Sequence, residues 1–127
     1  MPVRVYFQDT DAGGVVYHAS YLNFMERART EWMRTHGYSN AGLLKEFGVV
    51  FVVRSLKLEY LKPALLDDML DVTAQLKEIG RSRITIVQSV LRKDGILAEA
   101  EVHLVCVSLE TFKPVSVPEV LRNQWRE

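Results

Sequence analysis

An α+β fold, with an antiparallel sheet curled around one long helix, is predicted by three features of the chain. One stretch near residues 18–35 repeats its apolar residues at helical spacing. Four later runs alternate apolar and polar residues with period two. The breaks between those runs are short, so neighbouring strands must run antiparallel. A long helix with one apolar face has only that sheet to bury it.

Residues Val3 to Gln8 open the chain as a strand, with Val3, Val5 and Phe7 on one side. Asp9-Thr10-Asp11-Ala12-Gly13-Gly14 follows, a loop of small residues whose paired glycines permit backbone conformations closed to others. From His18 to Thr35, Tyr21, Leu22, Met25, Ala28 and Trp32 predict the buried face of a helix of about five turns. Gly37 ends it, and Asn40 to Phe47 predicts a shorter helix closed by Gly48. Period two then governs Val50–Tyr60, Leu70–Leu76, Ile84–Arg92 and Ile96–Val107. Pro63 and Asp67-Asp68 separate the first two runs, and Gly80 marks the next turn. Lys93-Asp94-Gly95 carries the Asp-Gly pair typical of a tight hairpin. Pro118 is placed to open a C-terminal helix bearing Leu121 and Trp125. The expected sheet therefore has five strands within one domain spanning residues 1–127.

Composition narrows the function. Sixteen Lys and Arg balance sixteen Asp and Glu, so no global charge favours nucleic acid or an anionic membrane surface. An anionic ligand must be held by local basic groups. With 48% apolar residues in 127, the core is modest for a lone domain, and self-association would add burial. One cysteine, Cys106, excludes an internal disulfide and points to a reducing, cytoplasmic setting. Arg4, Asp9 and Asp11 interrupt any apolar leader, so no signal peptide is expected.

The loop at Asp9–Gly14 places carboxylates beside the start of a long helix. A helix N-terminus offers unpaired N–H donors and partial positive charge. An oxyanion forming at a thioester carbonyl needs such donors, and a carboxylate opposite them can attack or activate water. The same residues also make an ordinary solvated Asx turn, and residue chemistry alone leaves both readings open.

The run Asp-Thr-Asp-Ala-Gly-Gly-Val-Val-Tyr-His-Ala-Ser-Tyr, continuing to Glu26-Arg27-Ala28-Arg29, resembles the 4-hydroxybenzoyl-CoA thioesterase family. Within it, the chain is most similar to the YbgC-type acyl-CoA thioesterases associated with the Tol-Pal system. Phe51-Val52-Val53-Arg54, Glu59 to Ala64, Asp67-Asp68 and Glu99-Ala100-Glu101-Val102 extend the likeness over nearly the whole chain. The resemblance implies a hotdog fold, with five antiparallel strands around the helix, and hydrolysis of acyl-CoA to acid and CoA. It assigns the catalytic carboxylate to Asp11, as nucleophile or general base, and polarisation of the thioester to the backbone N–H of His18. It implies no metal and no cofactor. It also implies sites at subunit interfaces, hence a homodimer as the minimum unit and a dimer of dimers as the expected assembly. Acyl carrier protein is a possible alternative carrier of the substrate.

Other candidates have two readings each. Tyr17 and His18 are expected to line the acyl pocket. Arg81-Ser82-Arg83, with Arg54 and Lys62, has the guanidinium and ammonium groups to hold CoA phosphates, and is equally a solvated turn. Asp9 reads as a structural brace for Asp11. Glu26-Arg27 and Glu31-Arg34 read as helix ion pairs, His103 as a polar partner of Glu99 and Glu101, and Cys106 as packing. The competing functions are another hotdog enzyme, such as a dehydratase, and a non-enzymatic acyl-CoA or acyl-carrier-protein binding module linked to the cell envelope.

Overall fold

The computed structural model describes residues 1–125. In order, it contains β1 (Pro2–Arg4), α1 (His18–Thr35), α2 (Asn40–Phe47), β2 (Val49–Tyr60), β3 (Met69–Val72), β4 (Gln75–Ile79), β5 (Arg83–Arg92), β6 (Gly95–Ser108) and α3 (Glu119–Trp125). All pairings are antiparallel, in the order β1-β3-β5-β6-β2, with β4 also on β5.

Two expected boundaries move, each for a visible reason. The first strand stops at Arg4, and Phe7–Asp9 coils into a 3₁₀ turn. There the Asp9 carboxylate accepts the Tyr6 N–H at 2.9 Å, and Phe7 O accepts the Thr10 N–H and hydroxyl at 3.1 and 2.7 Å. The single run Leu70–Leu76 is two segments, β3 and β4, on the same side of β5. At the break, the Thr73 hydroxyl accepts the Ser89 N–H at 3.0 Å in place of a backbone carbonyl. The buried amide of Gln88 donates to Thr73 O and to Met25 O of α1, at 3.2 and 2.9 Å. Counting β3 and β4 as one interrupted strand recovers the five-stranded sheet.

Alternation sets the two faces. Ile84, Ile86 and Val90 of β5, with Ala98, Ala100, Val102, Leu104 and Cys106 of β6, form the inner face. Small Ala98 and Ala100 leave room in the same cluster for Tyr21, Phe24 and Met25 of α1. Each of those larger side chains contributes about 1.5–3 kcal/mol by leaving water. The buried stripe of α1 is Tyr21, Phe24, Met25, Ala28 and Met33. Leu22, expected on it, is exposed, because it lies one position off the i, i+3, i+4 series that starts at Tyr21.

The sheet fixes where the chain's ends of interest lie. Lys62 N–H bonds to Leu97 O at one end of β6, and Arg83 pairs with Val105 at the other. Eight residues of strand separate those rungs by about 26 Å. The 18-residue α1 has a matching length of about 27 Å.

Candidate active site

The Asp11 loop is a closed unit. Asp11 N–H donates to Val15 O at 2.9 Å, and Gly14 N–H to Asp11 O at 3.1 Å. Thr10 pairs with Val16, and Tyr17 N–H donates to Asp9 O at 2.9 Å. Gly14 sits at φ +79°, a conformation that favours glycine. At Gly13 the constraint is a contact and not backbone strain: a Cβ there would lie 3.3 Å from Asp11 Oδ1. That oxygen accepts the Gly13 and Val15 N–H groups at 2.8 and 3.3 Å. The other, Oδ2, has no protein partner among the described residues. Asp11 is thus an exposed carboxylate with one oxygen held and one presented.

Helix α1 starts at His18 with Tyr17 as its N-cap residue. Tyr17 supplies no capping bond, and the first turn holds no acidic side chain. Among the described residues, the His18 and Ala19 N–H groups donate to no protein acceptor. An 18-residue helix therefore keeps free donors and an unneutralised positive pole at this end.

His18 lines a cleft of about 190 Å³, whose lining includes neither Ala19 nor Asp11. One wall is Val15, Val16 and His18, and the other is Tyr60 to Pro63, with Tyr21 between them. The His18 ring stacks on Tyr60, centroids 4.1 Å apart and planes within 19°. The Tyr60 hydroxyl donates to His18 O at 3.2 Å. Tyr21 is buried, and its hydroxyl accepts the Ala64 N–H at 2.9 Å.

The second wall is braced from outside the cleft. Arg92 donates through Nε and Nη2 to both oxygens of Asp94, at 2.6 and 2.9 Å. Its Nη1 reaches Asp68 Oδ2 at 2.7 Å and Pro63 O at 3.3 Å. Asp68 in turn accepts the Leu65 N–H at 2.9 Å. Segment 64–66 then meets the Asp11 loop, through Val16 N–H to Ala64 O and Leu66 N–H to Gly14 O, both at 2.9 Å. The guanidinium fork holds the Asp94 carboxyl down at about 2, and the two carboxylates push Arg92 upward.

The structure sorts the sequence candidates into two groups. Asp11, Tyr17, His18 and Lys62 lie at one end of the sheet. His18 and Lys62 line the cleft, whereas Tyr17 turns outward and is half exposed. Lys62 Nζ is 3.9 Å from Asp94. Arg81, Ser82 and Arg83 lie toward the opposite end, and Arg54 lies midway along β2. Arg54 sits in the β2 bulge beside Leu104 and His103, and the Arg81 side chain bonds Ser116 at 3.1 Å. Within one chain the basic turn is about 26 Å along β6 from Lys62, so the proposed phosphate group does not assemble there.

Other candidates are accounted for locally. Glu31 pairs with Arg34, but Glu26 makes no pair with Arg27. Glu26 instead lines a slot of about 180 Å³ between α1 and the sheet, with polar Thr30 and Asn40 beside apolar Met33, Phe51, Ile86 and Leu104. Arg29, at the same slot, bonds Gln88 at 3.0 Å, and burial lowers its pKa. His103 bonds Glu101 and Thr85, both at 3.1 Å. Burial pushes the Cys106 thiol up to about 11, which keeps it protonated and inert at neutral pH. Sequence patterns missed Tyr60 and the Arg92 brace. A signal for the former was present in Tyr60-Leu61-Lys62-Pro63, where a strand runs into a proline that stops it.

A curled antiparallel sheet on one helix, with a carboxylate loop at that helix's open N-terminus, defines the hotdog thioester hydrolases as a class. The chain belongs to the thioesterase-like superfamily, whose model matches residues 5–125. It is 46% identical over 121 residues to the acyl-CoA thioesterase YbgC of Haemophilus influenzae, covering 95% of this chain and 89% of that protein. It is 44% identical over 127 residues to the acyl-CoA thioester hydrolase YbgC of Escherichia coli O6:H1, covering 99% and 94%. A probable thioesterase from Bartonella henselae, of known crystal structure, superposes with a TM-score of 0.88 at 34% identity, covering 93% of this chain and 97% of that one.

Proposed function

We propose that this acyl-CoA thioesterase works through Asp11 and the His18 N–H, at a site completed by a second copy of the chain. The observation that carries the reading is the uncapped start of α1 beside a carboxylate with a free oxygen. The thioester carbonyl enters the cleft and its oxygen takes the His18 N–H. Asp11 then either attacks the carbonyl carbon, expelling CoA thiolate and leaving an anhydride for water to open, or takes a proton from the attacking water. Donors already aimed at the developing oxyanion cost no reorganisation during the reaction. Asp11→Asn should lower kcat on short-chain acyl-CoA by about 100-fold or more. Wild-type turnover in that variant would end the proposal.

The position of β2 and of the basic residues supports a homodimer. Among the described residues, the 12-residue β2 is an edge of the sheet, paired with β6 alone. An unpaired edge of that length is a docking template. A two-fold axis perpendicular to the sheet would pair β2 with its copy antiparallel. That inversion sets the Arg81–Arg83 end of one protomer beside the Asp11 end of the other. It also brings the partner's slot toward the cleft as a receptacle for the acyl chain. Arg81→Ala with Arg83→Ala should then raise KM more than it lowers kcat. Mixing that protein with Asp11→Asn should restore activity, since one of the two hybrid sites is fully wild type. If both groups act within one chain, every hybrid site carries a lesion and activity stays low.

We further propose a dimer of dimers as the full assembly, a cytoplasmic setting and a link to the Tol-Pal envelope system, all from kinship. No helix among the described residues is long and apolar enough to cross a membrane. Acyl-carrier-protein thioesters belong in the same substrate panel as the acyl-CoAs.

A further inference from the structure

We propose that Tyr60 is a positioning residue for the reaction, clamping the first peptide of α1 through its ring and its hydroxyl together. Two independent contacts support this. The Tyr60 ring lies flat on the His18 ring at 4.1 Å, and its O–H reaches His18 O at 3.2 Å. The ring contact limits rotation of residue 18, and the hydrogen bond fixes the plane of the peptide joining His18 to Ala19. The N–H of that peptide is Ala19's, the second free donor at the helix start. A bond accepted by the carbonyl polarises the whole amide, so Ala19 N–H becomes the stronger donor. The hydroxyl therefore acts on the Ala19 N–H, and the ring acts on residue 18, both through the frame of the helix start.

Tyr60 is itself held. It stands at the end of β2, opposite Ala98 of β6. Tyr21 meets its ring edge-on at 5.2 Å, and the Tyr21 hydroxyl is tied to the Ala64 backbone. Burial raises the Tyr60 phenol, with Tyr21 adding to the effect, so it stays a proton donor through neutral and mildly basic pH. An aromatic residue placed only to fill the cleft wall would not need its hydroxyl turned to a helix carbonyl.

This inference rests on the Asp11 and His18 reading, and the test separates the two. Tyr60→Phe keeps the stack and removes the hydrogen bond. It should lower kcat about 3- to 10-fold, the worth of one net hydrogen bond, with KM within about twofold of wild type. Tyr60→Leu removes both contacts and should lower kcat about tenfold more. In ¹⁵N-labelled Tyr60→Phe, the Ala19 amide proton should move upfield while amides of β5 stay put. A Tyr60→Phe enzyme with wild-type kcat, or one whose whole loss is in KM, overturns the proposal. Partial unfolding as the cause would shift amides throughout the sheet and also overturns it. If Asp11→Asn is active as well, the site reading falls first. If Asp11→Asn is dead and Tyr60→Phe is unimpaired, only the clamp falls.

Discussion

Gly13→Ala gives the most discriminating test of how the Asp11 loop is built. Gly13 has no left-handed φ, so alanine meets no backbone strain there. By restricting the unfolded chain, the substitution should leave stability unchanged or raise it by about 0.4–1 kcal/mol. Its methyl carbon would nevertheless sit 3.3 Å from Asp11 Oδ1. The same residue's N–H holds that oxygen at 2.8 Å. The amide pulls the carboxylate in while the methyl pushes it out, and Asp11 must shift by a few tenths of an ångström. A misplacement of about 1 Å in a reacting group can cost about 100-fold. Scaled to the smaller shift, kcat should fall about 3- to 10-fold while the protein melts at or above the wild-type temperature. Gly14→Ala is the control with opposite physics. Its Cβ meets nothing within 4 Å, but its φ is +79°, so it should lose about 1–2 kcal/mol of stability. Thiol release from acyl-CoA and thermal melts read both variants. Wild-type kcat in Gly13→Ala, with Asp11→Asn inactive, would show that the Oδ1 contact does not set the position of the catalytic carboxylate.

Two further outcomes follow from the supports of the cleft. Tyr21→Phe strips the acceptor from the buried Ala64 N–H and should cost about 1–3 kcal/mol in urea unfolding, while Tyr60→Phe should cost less because its bond is solvent-exposed. The Asp94 carboxyl, lowered to about 2 by the Arg92 fork, contributes stability that is complete above the ordinary carboxylate value of about 4. That contribution is lost as pH falls from roughly 4 through about 2, so urea midpoints of wild type and Asp94→Asn should converge over this acid range. Parallel midpoints down to the lowest pH would show that the pair adds nothing.

Much of the fold was legible because helix and strand periods differ and nearly every element keeps its own. The exceptions share one physical feature, a side chain substituting for the backbone. Asp9 and Thr10 end β1 by taking N–H and C=O partners that a longer strand would have used. Thr73 and Gln88 break the third strand in the same way, in a stretch whose alternation is uninterrupted. Leu22 shows a second limit, since a helical face is about 100° wide and one apolar residue at its border reads the same as one inside. For the candidate site, Asp11 and His18 are close in sequence, so one local motif brings both into view. Tyr60 and Arg92 join the site through sheet register, and no local pattern carries register. The basic group is the converse case: Lys62 and Arg81–Arg83 suit one ligand, yet their separation depends on which ends of the strands they occupy.

The groups this protein leaves unsatisfied are the best guide to what it does. Its buried polar side chains are otherwise well used. Gln88 serves α1, Arg29 and the broken strand, Thr85 bonds His103, and Tyr21 bonds Ala64. Among the described residues, Trp125 Nε1 is the one buried side-chain atom without a partner. Against that background, an 18-residue helix without an N-cap bond and a 12-residue strand with a bare edge are departures of another scale. A serine or aspartate at position 17 would cap the helix and stabilise it by about 1 kcal/mol, but the cap would take the donors that an oxyanion needs. A proline within β2 or a loop laid across it would close that edge, but it would also keep apart the two ends that hold the carboxylate and the guanidinium groups. Both omissions make sense together if the helix end is reserved for substrate and the strand edge for the partner that completes the site.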